Sequence, residues 1–143
     1  VDFGAGNGGF WAATGRPKQL VLVDIVDDFT NATPGPWVIA DARLPPFAPG
    51  SVGCIVALGL SEYIDDLEEL LARWRGIVRT GSGLLLSNSP PVIPNLLRWV
   101  CGLGARPRRD SAVISALERT GWKRLTPSPL HKGWQTIFAA RAV

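Results

Sequence analysis

Residues 1–10 read Val1-Asp2-Phe3-Gly4-Ala5-Gly6-Asn7-Gly8-Gly9-Phe10, and the fold turns on this stretch. An apolar lead-in ends at Phe3, the glycines allow a tight turn and close approach of a ligand to the backbone, and a helix is expected to open near Gly8. Strand, glycine turn and helix in that order make a ligand-binding corner of an α/β sheet. The next apolar run ends at Asp24, where a carboxylate can accept hydrogen bonds from ribose hydroxyls. Loop and acid together point to a nucleoside ligand without choosing one.

The spacing fits two patterns. Gly4-x-Gly6-x-x-Gly9 is the dinucleotide fingerprint of NAD(P)-dependent oxidoreductases, whereas Asp2-x-Gly4-x-Gly6-x-Gly8 is the acidic glycine loop of enzymes that bind S-adenosylmethionine. Three features separate them. A carboxylate at Asp2 suits a cationic ligand bearing an ammonium and a sulfonium and would oppose a pyrophosphate. No basic residue lies in the loop, since Arg16 and Lys18 come only after the expected helix. The chain also closes in an expected antiparallel strand pair. The charge favours the cation.

Working outward, QLVLVDI (Gln19 to Ile25), PWVIADA (Pro36 to Ala42), VGCIVALGL (Val52 to Leu60) and GLLLSN (Gly83 to Asn88) are continuous apolar runs. Parallel strands covered on both faces read this way, without alternation. Asp66 to Arg79 reads as a crossover helix with Leu67, Leu70, Leu71, Trp74, Ile77 and Val78 on one stripe, Asp65 as its cap and Gly81 past its end. Ser111 to Thr120 reads as a second helix, with Val113, Ile114 and Leu117 inward. NLLRWVCGLG reads as a short amphipathic helix and ARPRR as an exposed loop. WKRLT (Trp122 to Thr126) and WQTIFAARA (Trp134 to Ala142) are strand candidates joined by the turn-rich PSPLHKG, a connection too short for a crossover helix. The expected architecture is therefore a Rossmann-like, doubly wound, mostly parallel sheet with an antiparallel C-terminal strand pair, in three α/β/α layers.

Composition bounds the setting. At 143 residues with 46% hydrophobic content, residues 1–143 are expected to form one domain. Val1 already lies in the first strand, so helices that would ordinarily precede it are expected to be missing. A net charge of +3, with Arg106, Arg108 and Arg109 as the densest basic cluster, gives no interleaved basic and aromatic surface, and no nucleic-acid partner is expected. Cys54 and Cys101 lack CxxC spacing and have only one histidine for company; no metal site is expected, and both read as reduced core residues. The longest apolar run, Val52 to Leu60, falls far short of the roughly 20 residues of a spanning helix, so stable membrane insertion is not expected and the location reads as cytoplasmic.

One further stretch completes the expected ligand site. IADARLPPFAPGS (Ile39 to Ser51) sets Asp41 and Ala42 at the end of the third strand, where a carboxylate can accept from an adenine amino group while the next N–H donates to a ring nitrogen. With the glycine loop, VLVDI, this segment and VGCIVALGLSEYIDD in that order, the chain resembles class I S-adenosylmethionine-dependent methyltransferases, in particular the methyltransferase type 11 or UbiE-like group. The resemblance covers nearly the whole chain and is most specific from Val1 to Ser89. It implies S-adenosyl-L-methionine as cofactor and an EC 2.1.1 methyltransferase activity. It further implies that Gly4, Ala5, Gly6 and Gly8 line the methionyl portion, with Asp2 orienting its ammonium. Asp24 would bind the ribose, Ile25 would pack on the adenine, Asp41 and Ala42 would hold the adenine edge, and Leu58, Gly59 and Leu60 would run past the cofactor.

Of two departures from the family pattern, one bears on the acceptor. Val52-Gly53 stands where Phe-Asp often follows the serine of the "GS" turn, at the far end of its strand from the cofactor, and only a structural effect is expected; Tyr63 stands where a histidine often follows the glutamate, which removes a familiar candidate base. Methyl transfer needs a base only when the acceptor must lose a proton, and Tyr63 and His131 are the candidates; Glu62 reads as a cap for the following helix. Leu96, Leu97, Trp99 and Val100 form an apolar patch where this family builds its acceptor lid, favouring a small apolar molecule accepting at O, N or C. Two rivals stand beside this reading: a non-catalytic methyltransferase-like module that needs a partner chain or a missing segment, and an NAD(P)-dependent oxidoreductase. A homodimer or a partner chain is compatible with either of the first two.

Overall fold

The computed structural model describes residues 1–15, 17–26, 35–103 and 106–143. Arg16 and the Ala105 start of the ARPRR stretch lie outside them. The strands are β1 (Asp2–Phe3), β2 (Leu22–Asp24), β3 (Trp37–Ile39), β4 (Val52–Ala57), β5 (Val78–Asn88), β6 (Trp122–Arg124), β7 (Leu130–Lys132) and β8 (Gln135–Ala142). The helices are α1 (Gly9–Thr14), α2 (Leu67–Ile77), α3 (Ile93–Val100) and α4 (Asp110–Arg119), with a 3-10 turn at Ser61–Tyr63.

These strands form one eight-stranded sheet in the order β3-β2-β1-β4-β5-β8-β6, with β7 also paired to β8. Pairings from β3 across to β5 are parallel, while β8 runs antiparallel to β5, β6 and β7. The order steps from β1 to β2 on one side and from β1 to β4 on the other, so the chain changes direction at the carboxyl end of β1. That switch point is where α/β sheets hold their ligands, and the glycine loop occupies it.

Alternation along β1 assigns the two faces. Phe3 stacks on Trp74 of α2, with ring centroids 5.0 Å apart and an interplanar angle of 9°, and meets Phe47 edge-on. Asp2 points the other way, to Trp11 of α1. The main core lies on the α2 and α4 side, where Leu67, Leu70, Leu71, Trp74 and Ile77 of α2 and Val113, Ala116 and Leu117 of α4 are buried. Two buried indole N–H groups are satisfied by carbonyls: Trp74 Nε1 donates to Ala42 O at 2.9 Å, and Trp122 Nε1 to Leu71 O at 3.1 Å. Trp74 thereby links the core helix to the segment after β3.

Several sequence expectations are corrected. Helix α2 is capped by Asp66, whose carboxylate accepts from Glu69 N at 2.9 Å, and not by Asp65. It ends at Ile77, because Val78 pairs with Val52 and opens β5. Both cysteines are exposed, not buried. Ile55 and Ala57 take the core face of β4, so Cys54 falls on the α1 face, where short α1 contributes no buried residue; Cys101 follows α3, whose apolar side is open. Part of PSPLHKG is strand: β7 and β8 form a hairpin closed by Lys132↔Gln135 around Gly133-Trp134, with Gly133 at φ 61°. Among the described residues no helix is long and apolar enough to cross a membrane.

Candidate functional site

The glycine corner is built from backbone. The amides of Gly4 and Ala5 both donate to Val23 O, at 2.9 and 3.2 Å, which ties the loop to β2. Gly4 adopts φ 72°, and a Cβ there would stand 3.1 Å from Leu60 Cβ. Leu60, just past β4, therefore closes against the bare α-carbon of Gly4, and a side chain at that position meets both a strained backbone and an occupied space. Gly8 caps α1 in the left-handed conformation, at φ 73°.

Asp24 joins the corner to the second strand. Its Oδ2 accepts from Gly6 N at 2.8 Å and its Oδ1 from Val26 N at 3.1 Å. Each oxygen retains a lone pair, so the carboxylate can still take two hydroxyl donors, as a ribose diol offers. Asp2 lies deeper, at 5% exposure, and accepts from Trp11 Nε1 at 2.7 Å. Burial pushes its carboxyl up to about 6, against the opposing effect of the Trp11 hydrogen bond.

The expected adenine acid differs from its simplest reading. Asp41 is engaged by Arg43, which donates from its backbone N at 2.8 Å, from Nε at 2.9 Å to both oxygens and from Nη2 at 2.5 Å. The Arg43 hydrogen bonds hold the Asp41 carboxyl below the ordinary carboxylate range. Little acceptor capacity remains on Asp41, and Arg43 becomes part of the wall. The Asp-Ala-Arg spacing was the available signal for this.

A cleft of about 180 Å³ gathers Gly4, Asp24, Ile25, Asp41, Ala42, Leu60 and Tyr63, with Ala40, Arg43 and Ile64 as lining residues that sequence reasoning missed. Asp2, Ala5, Gly6, Gly8, Leu58 and Gly59 are not on its wall. Gly6 is tied to it through Asp24, and Gly59 N is held by Ser87 Oγ at 2.7 Å.

Beside the cleft runs a polar network. Glu62, at 4% exposure, does not cap α2; it accepts from Ser89 Oγ and from Arg98 Nη2 at 3.1 Å. The same Arg98 nitrogen lies 3.4 Å from the Tyr63 hydroxyl, so a residue of α3 touches the cleft wall. Arg106 pairs with Asp65, and Arg108 donates to Ser61 O and Asp65 O, which docks this segment instead of leaving it a solvated loop. His131 is not in a loop and does not line the cleft: it lies on β7, its Nδ1 3.2 Å from Thr136 Oγ1, which in turn donates to Asp110 Oδ2. Tyr63 and His131 thus belong to separate groups of contacts.

Chemically, the corner offers backbone dipoles, an acid with acceptor capacity to spare and a second, buried carboxylate, with no basic side chain in the loop to meet a pyrophosphate. These features suit a nucleoside carrying positive charge. Comparison with known proteins agrees. A family model described as a methyltransferase domain, of type 11, matches residues 1–86 of the 143. No curated protein matches the chain. A SAM-dependent methyltransferase from Thermotoga maritima superposes with a TM-score of 0.77 at 13% identity, covering 99% of this chain and 80% of that one. Magnesium protoporphyrin IX methyltransferase from Synechocystis PCC 6803, solved with bound SAH, gives 0.72 at 13% identity over 99% and 73%. Geranyl diphosphate C-methyltransferase from Streptomyces coelicolor A3(2), in complex with S-adenosyl-L-homocysteine, gives 0.76 at 13% identity over 100% and 72%. At these identities the solved structures establish the shared fold, and the family match decides between the two readings of the opening loop: the chain belongs to the class I methyltransferases that use S-adenosylmethionine, in the type 11 methyltransferase domain family.

Proposed function

We propose that residues 1–143 act as one S-adenosylmethionine-dependent methyltransferase unit, passing a methyl group to an O, N or C atom of a small apolar acceptor. The observation that carries this reading is the Asp24 bridge: one carboxylate ties the glycine loop to β2 at 2.8 Å and keeps acceptor capacity in the cleft. In this reading Asp24 takes the ribose hydroxyls, Ile25 and Leu60 pack on the nucleoside, and the Ala42 segment with the Asp41–Arg43 pair reads the adenine edge. Gly4, Ala5, Gly6 and Gly8 let the methionyl chain approach the backbone, with Leu58 and Gly59 following β4 past it. Asp2 faces its ammonium.

S-adenosylmethionine supplies a methyl group already activated on a sulfonium. The protein's share is alignment of the nucleophile and exclusion of water, and a base only for an acceptor that must lose a proton. Tyr63, 52% exposed on the cleft wall and beside Arg98, is the residue placed to serve there. His131 lies outside the cleft wall, and we assign it no step. Support for an apolar acceptor comes from a hollow of about 380 Å³ formed by Pro91, Leu96, Trp99, Arg106 and Pro107.

A second reading, a module that works with a partner chain, is favoured by the exposed apolar side of α3, where Ile93 and Val100 are each 74% exposed. Calorimetric titration with S-adenosylhomocysteine and, separately, NADH tests the first reading. Binding of the former alone, weakened at least tenfold by Asp24→Ala, supports it; binding of neither by the chain on its own, restored by a partner, supports the second.

A further inference from the structure

Trp11 belongs to none of the glycine, ribose or adenine motifs, yet it makes the one side-chain hydrogen bond to Asp2 among the described residues, Nε1 to Oδ2 at 2.7 Å. The tight glycine turn brings α1 back over the end of β1, and Phe10 packs edge-on against the Trp11 ring at 4.8 Å and 78°, holding its plane. We propose that Trp11 is a positioning residue for cofactor binding: its indole N–H holds Oδ2 of Asp2 and keeps Oδ1 as the oxygen presented to the ligand's ammonium. The inference rests on the S-adenosylmethionine reading of the corner.

The choice of donor matters chemically. An indole N–H donates one hydrogen bond and carries no charge, so it orients the carboxylate and leaves its negative charge for the ligand. An arginine or lysine in the same place would compete with the ammonium it is meant to help. The groups that act on Asp2 are few: burial and the Asp24 carboxylate favour its protonated form, while the Trp11 hydrogen bond favours the charged one. Without the Trp11 donor, Asp2 keeps its proton to higher pH and presents a neutral carboxyl where a cation must bind.

The test pairs two measurements on the full chain. Calorimetry with S-adenosylhomocysteine between pH 5.5 and 8.5 reads ligand affinity, and carbon NMR of the aspartate carboxyls in the ligand-free chain reads the Asp2 titration directly. For Trp11→Phe the expected result is about tenfold weaker binding at pH 7, the size of one charge-assisted hydrogen bond. Its loss of affinity on acidification should begin at higher pH than in the parent, and the Asp2 carboxyl carbon should titrate at higher pH. A folded Trp11→Phe chain with parental affinity and an unchanged pH profile would show that Trp11 only anchors α1, and the proposal fails. Should Trp11→Phe not fold, 3-benzothienylalanine at position 11 keeps the bicyclic ring and removes only the N–H, and the same two outcomes decide. If the parent chain binds no S-adenosylhomocysteine while the carboxyl titration still moves, the cofactor reading falls and takes the inference with it.

Discussion

Asp2→Asn is expected to stabilise the ligand-free chain while weakening its hold on the cofactor. Asp2 is buried, and its carboxyl is raised from the ordinary 3.8 to about 6. A raised acid holds its proton more tightly in the folded state than in the unfolded one. Its charge therefore costs nothing below pH 4, and the destabilisation grows as pH rises through the window from about 4 to 6 and is complete near pH 7. A shift of about two pH units corresponds to about 3 kcal/mol as a ceiling. An asparagine carries no such charge, and its carbonyl can still accept from Trp11, though it buries an amide that needs its own partners; about 1–2 kcal/mol of net stabilisation at pH 7 is the result. Urea denaturation of both chains at pH 4.5 and pH 7, without ligand, measures this. The difference between them isolates Asp2 from other titrating groups, and it should be larger at pH 7. In the same samples, affinity for S-adenosylhomocysteine should fall about tenfold at pH 7. A variant less stable than the parent at pH 7, or a stability difference unchanged between the two pH values, would refute the reasoning.

Other perturbations test separate parts of the site. Gly4→Ala places a Cβ at φ 72° and 3.1 Å from Leu60 Cβ, so thermal unfolding should show a loss of about 2–3 kcal/mol and cofactor binding should weaken with it. Arg98→Ala leaves the Glu62 carboxylate buried with Ser89 as its remaining side-chain partner; urea unfolding at pH 7 should show a loss of about 2–3 kcal/mol, partly recovered by adding Glu62→Gln.

The parallel half of the fold was legible because its signals are local. Val1 to Phe3 leads into a glycine turn and the run Leu22 to Asp24 ends at an acid, and the Gly4 and Ala5 amides join the two on Val23 O. What sequence missed depends on contacts between distant segments. Glu62 and Arg98 are 36 residues apart, so the pairing of the buried carboxylate with a half-buried guanidinium has no local signature, and a glutamate just ahead of a helix reads as a cap. Cys54 looks like a core residue because its neighbours are apolar, but the helix that would cover its face is only the six-residue α1. The β7–β8 hairpin did carry a local signal, Gly133 at the first position of a two-residue turn, hidden among prolines and glycines that suggested only loop. Arg43 shows the intermediate case: its spacing from Asp41 was readable, but its guanidinium folding back on that carboxylate is a matter of conformation.

The position of β8 governs how the chain reaches this state. It follows in sequence every strand it pairs with, yet it lies between β5 on one side and β6 and β7 on the other. Until it arrives, residues 83–88 of β5 present an open edge, and β6 lacks its partner among the described residues. Three of the eight strands, β6, β7 and β8, therefore join the sheet in one late step, slowed by the long sequence separation of the β5–β8 pairing, and the intermediate before that step exposes an edge that can template pairing with other chains. Refolding should be slow and sensitive to protein concentration, and on the ribosome the nascent chain completes its sheet only after the segment Gln135–Ala142 has emerged.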